Sequence, residues 1–320
     1  MPSAPTPMRS YLANVLWSQW AALGVPAATS PSLALIDLEA LLIATAIHTD
    51  IGSDVRLRDG AISWLATRHE YVATARLKRL LERSDYPVDR EPVLRLTSQV
   101  DANVPRRLTW PKLAQDVQKW VASTTISPFA TWTPGLLRLR TRAIFGASAK
   151  AEAYAYLATV PGSTELAVIE RRTDYSRRQI DDALKSLIDV GWVTRGVAGN
   201  RTTYALTDAG RTLVGAPLRW TKIGPRQVDQ MPTVDVPSWV DWHQRFELLR
   251  MLSDVETDLD LGATVSAVAQ LRQAADEFAR LFHPVPEPIR AEESIDAAAS
   301  RVREWIPDAA RRIAGEGVIP

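Results

Sequence analysis

Apolar residues recur at helical spacing along most of the chain. In the N-terminal part this pattern predicts helices over residues 10–23, 37–47, 61–66, 73–81, 91–100 and 111–121. In the C-terminal part it predicts helices over 240–251, 265–282 and 294–306. Two stretches that contain several prolines, 126–135 and 215–237, separate these parts from the middle. The chain is therefore expected to be mainly α, with helical domains at 1–125 and 238–320 around a central domain at 136–215.

The central domain begins with two short helical patterns. Ser148 is a suitable N-cap for a helix over 149–159. Pro161 and Gly162 end that helix and precede a second one over 164–172. A turn at 173–175 then follows.

A third helix, over 176–190, has the clearest pattern. Ser176 and Gln179 have the spacing of a capping box at its start, and Gly191 supplies the left-handed residue that ends it. Its apolar positions repeat at i, i+3, i+4, i+7 and i+8 and predict one buried face: Ile180, Ala183, Leu184, Leu187 and Ile188. The outward face begins with Arg177 and Arg178.

Two strand-like segments follow this helix, at 192–195 and 201–206. The residues between them include two glycines and an asparagine, so a hairpin is expected in which Gly199 and Asn200 adopt positive φ. Alternation along the second strand directs Tyr204 and Leu206 inward.

This succession of elements is that of a winged helix-turn-helix with a small β-hairpin wing. In such modules the third helix enters the DNA major groove and the wing lies along the backbone. We therefore expect the recognition helix 176–190 to contact base edges and the wing 195–204 to contact phosphates. The expected DNA-binding residues are Tyr175, Ser176, Arg177, Arg178, Gln179, Asp182, Lys185, Arg195, Asn200 and Arg201.

Particular residues of this segment also resemble a known group of proteins. The residues that lead into the wing are Leu184, Leu187, Gly191, Trp192 and Val193, and those that leave it are Tyr204, Leu206, Thr207 and Gly210. In this pattern, residues 148–214 resemble the MarR, ArsR and PadR groups of bacterial transcriptional regulators. The resemblance is specific for the fold rather than for one family. It implies that Arg177, Arg178 and the wing arginines contact DNA, whereas the ligand and metal sites of those families do not carry over to the long helical extensions.

The distribution of charge agrees with a DNA-binding centre. The net charge is only +1, but residues 138–222 contain fourteen basic and eight acidic side chains, a net charge of +6. Such a basic middle between acidic flanks is expected of a phosphate-binding module. The chain has no cysteine, which excludes disulfides and cysteine-ligated zinc and fits a cytoplasmic location. No secretory signal is visible, and the apolar runs are far shorter than the roughly 20 residues of a membrane span, so no membrane association is expected.

Other functions are open at this point. A winged helix also serves as a protein-docking domain, so the alternative is a protein-interaction or antitoxin-like subunit that holds a partner protein. An enzyme with a site divided between domains is disfavoured, because the sequence has no catalytic triad order, glycine-rich phosphate loop or paired-histidine zinc spacing. No catalytic residue, cofactor or metal is therefore predicted.

Two clusters of charged residues are interpreted as structural features rather than as binding sites. The turn that contains His48, Asp50 and Asp54 is better explained by helix capping than by a metal site. In the helix over 73–81, a basic stripe of Arg76, Arg79 and Arg83 is interpreted as a solvated face rather than as a second phosphate contact.

A homodimer is expected, because symmetric half-sites let two recognition helices act together. Apolar stripes on the C-terminal helices exceed what one domain needs and are candidates for the interface, with slightly more weight than the N-terminal helices. They comprise Val265, Val268, Leu271, Ala275, Phe278 and Phe282, together with Leu248, Leu249 and Leu252.

Overall fold

The helical spacing of apolar residues is realised as helices in most of the described chain. The computed structural model describes residues 7–50, 52–83, 88–104, 108–113, 121, 123–128, 133–215 and 237–262, with isolated positions between 266 and 313. These residues form a mainly helical fold with one small antiparallel sheet. In that part of the chain, no helix has the length and apolar character that crossing a bilayer requires.

The N-terminal helices agree with the predicted ones, apart from the last. They are α1 (Pro7–Ala22), α2 (Leu38–Asp50), α3 (Val55–Arg68), α4 (Thr74–Glu82) and α5 (Arg90–Asp101). Helix α3 begins earlier than predicted, because the Asp54 carboxylate accepts a hydrogen bond from Leu57 N at 2.9 Å and caps it there. Of the predicted helix 111–121, residues 111–113 are not helical and 114–120 lie outside the described residues.

A further helix, α6 (Leu137–Phe145), follows a 3₁₀ turn at Pro134–Leu136 and is absent from the sequence prediction. Its sequence alternates leucine with arginine, which is the spacing of a half-buried strand. It forms a helix in which Arg138 and Arg142, one turn apart, are both buried beside carboxylates. Helical periodicity is hidden here because the buried face of α6 includes charged residues.

The central segment contains the predicted helices and strands in the predicted order, together with β1 before the second helix and α10 after the hairpin. The elements are α7 (Ala149–Thr159), β1 (Thr164–Glu165), α8 (Leu166–Thr173), α9 (Arg177–Asp189), β2 (Val193–Ala198), β3 (Arg201–Leu206) and α10 (Asp208–Gly215). The sheet order is β1-β3-β2, with both pairs antiparallel. The second helix starts at Leu166 rather than at 164 because Thr164 pairs with Tyr204 as a strand residue.

The C-terminal part is described mainly through α11 (Trp242–Asp260), which is longer than the predicted helix 240–251. Leu248, Leu249 and Leu252 are already buried, so these leucines are not a free surface for a second copy. Leu271 is buried as well. The rest of the stripe proposed for a dimer interface lies outside the described residues: Val265, Val268, Ala275, Phe278 and Phe282.

The chain divides into two compact units. One comprises residues 1–17 and 242–320, and the other comprises residues 18–241. Most of the predicted N-terminal domain and the whole predicted central domain therefore fall within one unit. The division of these residues into separate domains at 1–125 and 136–215 stays a prediction.

A closed ring of six buried charges connects the helices of the larger unit. Each link joins a guanidinium nitrogen to a carboxylate oxygen over 2.6–2.9 Å, and every one of the six side chains is at most 2% exposed. In order of contact, this charge ring comprises Asp37, Arg76, Glu39, Arg142, Glu152 and Arg138. The members come from the start of α2, from α4, from α6 and from α7, so the ring holds the N-terminal helices to the first helix of the central segment.

The charge ring keeps the carboxylates of Asp37 and Glu39 ionised. Burial alone would raise the pKa of Glu39, but the guanidinium groups of Arg142 and Arg76 outweigh that effect and bring its pKa below the ordinary value. The pKa of Asp37 is lowered in the same way, against its burial, by Arg138 and Arg76. Three cations and three anions compensate one another, which is the condition for burying charge.

We predict that Glu39→Gln lowers the free energy of unfolding by about 3–5 kcal/mol, because Arg76 and Arg142 then stay buried with too little negative charge. Urea denaturation at neutral pH measures the change. The control is Glu82→Gln, since Glu82 is 50% exposed and lies 4.0 Å from Lys78, and its effect should stay below about 1 kcal/mol. Equal effects of the two substitutions would contradict the role given to the ring.

The same variant gives a pH test with a defined sign. The pKa of Glu39 is lowered in the folded protein, so its contribution to stability is complete above the unfolded-state pKa of about 4.3 and is lost as the pH falls towards the folded-state pKa. The difference in stability between wild type and Glu39→Gln should therefore shrink as the pH is lowered below about 4.

Candidate nucleic-acid interface

The capped start of α9 has the predicted geometry. Ser176 Oγ accepts from Gln179 N at 3.5 Å, and Gln179 Oε1 accepts from Ser176 N at 3.3 Å, so both halves of the capping box are present. Arg177 N also donates to Glu170 Oε1 at 3.1 Å. The beginning of α9 is therefore fixed by local hydrogen bonds.

The end of α9 is a Schellman motif. Gly191 has φ +74°, its N–H donates to Ile188 O at 2.8 Å, and Trp192 N–H donates to Leu187 O at 3.0 Å. This termination confirms the role predicted for Gly191. It directs the chain from α9 straight into β2.

The two faces of α9 divide as the periodicity predicts. Ile180, Ala183, Leu184 and Leu187 are buried, and Ile188 is partly buried. The exposed positions are Arg177, Arg178, Asp182, Lys185 and Asp189. Helix α9 therefore presents a polar outer face whose first turn carries two arginines.

Those two arginines differ from Lys185, the other basic residue of α9. Lys185 Nζ lies 2.6 Å from Asp181 Oδ2, one turn away, and this exposed pair partly cancels. Arg177 and Arg178 take part in no ion pair with the residues that the structure describes. Their charges are therefore available to a ligand at the N-terminus of the helix.

The turn before α9 differs from the sequence prediction. Tyr175 is only 5% exposed and lies in the hydrophobic core, with the Arg79 guanidinium 5.1 Å from its ring centre. A side chain with so little surface cannot contribute much to a DNA interface. Periodicity begins only after the cap, so it gave no sign that the turn itself is buried.

The arginines of α4 do not form the solvated face that their sequence suggests. Arg76 is 1% exposed, and Arg79 and Arg83 are half-buried. All three donate to residues of the turn at 173–174. The interpretation of these arginines as a solvated face was wrong, because their hydrogen-bond acceptors lie more than 90 residues away in sequence. These acceptors are carbonyl and carboxylate oxygens of residues 173–174.

The hairpin is tighter than predicted. Strands β2 and β3 continue to Ala198 and Arg201, which leaves a loop of only Gly199 and Asn200. Of these two, only Gly199 has a positive φ, +64°, as a type II′ turn requires at its first central residue. Tyr204 and Leu206 are buried as expected, and Asn200 is exposed.

The two wing arginines lie on opposite faces of the hairpin. Arg195 lies directly opposite Tyr204 in the strand pair, so the two side chains share a face. Arg201 is three residues before Tyr204 on β3, and because side chains alternate along a strand it lies on the other face. Arg201 Nη1 contacts Glu165 Oε1 at 2.8 Å, whereas Arg195 has no ion pair within the described chain. One flat phosphate backbone therefore cannot contact both side chains in the same way.

The motif that leaves the wing has a steric explanation. Thr207 Oγ1 accepts from Gly210 N at 3.1 Å and caps α10, while Thr207 N donates to Trp192 O at 3.0 Å. A Cβ on Gly210 would lie 2.3 Å from Trp192 O, so no larger residue fits there without movement. The Tyr154 hydroxyl also donates to Gly210 O.

The surface is less basic than the sequence suggests. Of the fourteen basic residues in 138–222, Arg138, Arg140 and Arg142 are buried, as is one of the eight acidic residues, Glu152. Arg219 and Lys222 lie outside the described residues, so nine basic and seven acidic residues remain in the described part of this segment, a net charge of +2. On the other hand, Arg171 and Arg172, at the exposed end of α8, were omitted from the predicted contacts and have no ion pair among the described residues.

Comparisons with protein-family models, with curated proteins and with solved structures gave no match. The likeness of residues 148–214 to the MarR, ArsR and PadR groups therefore stays a prediction from the sequence.

We predict that Gly210→Ala lowers the free energy of unfolding by about 1–3 kcal/mol, because the new methyl group overlaps Trp192 O. Gly162→Ala is the control, since a Cβ at Gly162 meets no atom within 4 Å and its φ is not left-handed. Thermal and urea denaturation of both variants give the comparison. If Gly210→Ala were as stable as Gly162→Ala, the close packing of α10 on Trp192 would be disproved.

Proposed function

We propose that this protein is a cytoplasmic transcriptional regulator that binds specific sequences of double-stranded DNA through residues 148–214, a winged helix-turn-helix. The observation that carries this proposal is the first turn of α9. There, Arg177 and Arg178 are exposed and unpaired within the described chain, directly after a capped helix N-terminus. A helix N-terminus favours anionic ligands, and guanidinium groups donate bidentately to guanine or phosphate.

Helix α9 acts in this proposal as the recognition helix. Its exposed residues have the size and polarity to enter a major groove, while its opposite face stays in the core. Arg178 is assigned to a base edge and Arg177 to a base edge or a phosphate. Asp182 accepts from a base amino group or orients an arginine, and it disfavours nonspecific binding.

The wing supplies the second contact. Arg195 is the better candidate for a phosphate, because its charge is unpaired, whereas Arg201 must first release Glu165. Asn200, at the exposed tip, can donate to a phosphate or a base edge. The end of α8 adds Arg171 and Arg172 as further phosphate contacts.

The regulator is proposed to act as a homodimer on two half-sites about one DNA turn apart, ~34 Å. The support for this assembly is the symmetry of such operators and not the leucines of α11, which are buried.

A second candidate, a subunit that holds a partner protein, is favoured by two exposed apolar side chains, one at the end of α9 and one in β2. Val190 and Val197 are 56% and 75% exposed, and a protein partner would cover them better than DNA would. The nearly balanced surface charge points in the same direction.

Selection from a library of random duplexes distinguishes the two candidates. A regulator enriches one sequence motif, usually with internal symmetry, and binds it about 1,000-fold or more tightly than random duplex at the same salt concentration. A protein-docking subunit gives no enriched motif. That result would rule out the proposed function.

For the recognition helix, we predict that Arg178→Ala weakens binding to the selected duplex by roughly 1–3 kcal/mol and relaxes the preference at one base pair. Arg56→Ala, the same change at an exposed position of α3, should have little effect. Titrations with the selected duplex and with all single-base variants provide the measurement. An equal loss on selected and random duplexes would make Arg178 a phosphate contact instead.

For the wing, we predict that Arg195→Ala lowers the slope of log affinity against log salt by about one unit, because one phosphate neutralisation is lost. Arg201→Ala should change the slope less, since Arg201 is neutralised by Glu165 in the free protein. Binding isotherms at several salt concentrations compare the two variants. An unchanged slope for both would remove the wing from the interface.

A further inference from the structure

The C-terminus of α8 is capped by another helix. The last carbonyls of a helix lack intrahelical donors and need partners from elsewhere. Here Thr173 O accepts from Arg76 Nε at 3.1 Å, and Asp174 O accepts from Arg79 Nη1 at 2.7 Å. Both donors belong to α4, and their positive charge suits the negative end of the α8 dipole.

The first residue after α8 has a left-handed backbone conformation and is also contacted from α4 and the residue that follows it. Asp174 has φ +57°, a left-handed conformation that costs free energy for any residue with a side chain. Its carboxylate oxygens accept from Arg76 Nη2 at 2.9 Å and from Arg83 Nη1 at 3.0 Å. Arg76 and Arg83 therefore maintain the backbone conformation that sets the direction of α9.

Arg79 extends the same contact into α9 itself. Its guanidinium lies over the ring of Tyr175, and its Nη2 donates to Gln179 Oε1, the atom that also completes the capping box. Arg79 thus contacts the turn and the first turn of α9 together. It lies outside the charge ring and is only half-buried, so the fold does not depend on it as it does on Arg76.

We infer that Arg79 of α4 and Arg83, the residue directly after α4, are positioning residues, which hold the turn at Asp174 and the first turn of α9 in the orientation needed for sequence-specific DNA binding. This inference rests on the proposed function for its consequence on DNA, but the positioning itself does not. The N-terminal helices thereby acquire a role: α4 fixes the recognition helix from outside the segment that resembles a winged helix.

The physical consequence is a difference between specific and nonspecific binding. Base-edge contacts require side chains held close to one geometry, whereas phosphate attraction tolerates variation. When the turn is free to vary, the recognition helix loses base discrimination before it loses general affinity. Removal of a phosphate contact would instead lower the affinities for specific and nonspecific DNA by the same factor.

The test is Arg79→Met, which keeps an aliphatic stem over Tyr175 and removes the donors. Its matched control is Lys78→Met, which removes one charge from the neighbouring position of α4, 68% exposed. Hydrogen exchange of the peptide 174–182 should accelerate about tenfold in Arg79→Met and not in the control. The ratio of affinities for selected and random duplex should fall about tenfold, with the affinity for random duplex nearly unchanged.

Two further variants keep the outcome decisive. Arg79→Lys retains the charge but cannot bridge Asp174 O and Gln179 as a fork, so it should restore the ratio only in part. If Arg79→Met does not fold, Asp174→Asn serves in its place, because asparagine tolerates the left-handed conformation while it loses the charge that Arg76 and Arg83 contact. It should accelerate exchange of the same peptide.

The results separate the positioning role from the proposed function. Unchanged exchange of residues 174–182 in Arg79→Met would overturn the positioning role, even if DNA binding fell, and would make Arg79 a direct contact. Faster exchange in a protein whose wild type selects no duplex would support positioning and reject the proposed function.

Discussion

The charge ring is the interaction that joins the helices of the larger unit, residues 18–241. Three guanidinium groups and three carboxylates are almost completely buried, and each is paired with two neighbours of opposite charge. Burial of any one of them alone would be prohibitively unfavourable, so the four helices that supply them must come together for any of the charges to be compensated. Because each guanidinium is directional, the ring also fixes how α2, α4, α6 and α7 are oriented.

The constraint extends from the ring to the candidate DNA interface through Arg76. This side chain belongs to the ring and also contacts Thr173 O and Asp174, at the turn before α9. Arg79 of α4 and Arg83, directly after α4, contact the same turn. Helix α9 is consequently held by the packing of its apolar face, by its own N-terminal cap, and by the contacts of the N-terminal helices with the turn that precedes it. A small winged helix alone would lack the last of these supports.

The sequence predicted those features that local information determines. The capping box at Ser176, the termination at Gly191 and the inward direction of Tyr204 all depend on near neighbours or on simple periodicity. The sequence did not predict α6, the burial of Tyr175 or the contacts of the α4 arginines. These features depend on contacts between residues far apart in sequence, such as Arg76 and Asp174, which are 98 residues apart. Such pairs allow charged side chains to be buried in the core. For the same reason, counting charges along the sequence overestimated the basic surface.

Native-state hydrogen exchange at increasing urea concentration can show whether the N-terminal helices and residues 148–214 form one cooperative structure. The slowest amides of α2, α7 and α9 should exchange with one common free energy of opening and one common urea dependence, because opening any of these helices breaks the ring or the contacts that it supports. The contrary result is opening of α7 and α9 at a clearly lower free energy than α2, with a smaller urea dependence of their own. That outcome would mean that residues 148–214 unfold as a separate domain, and that the charge ring does not couple them to the N-terminal helices.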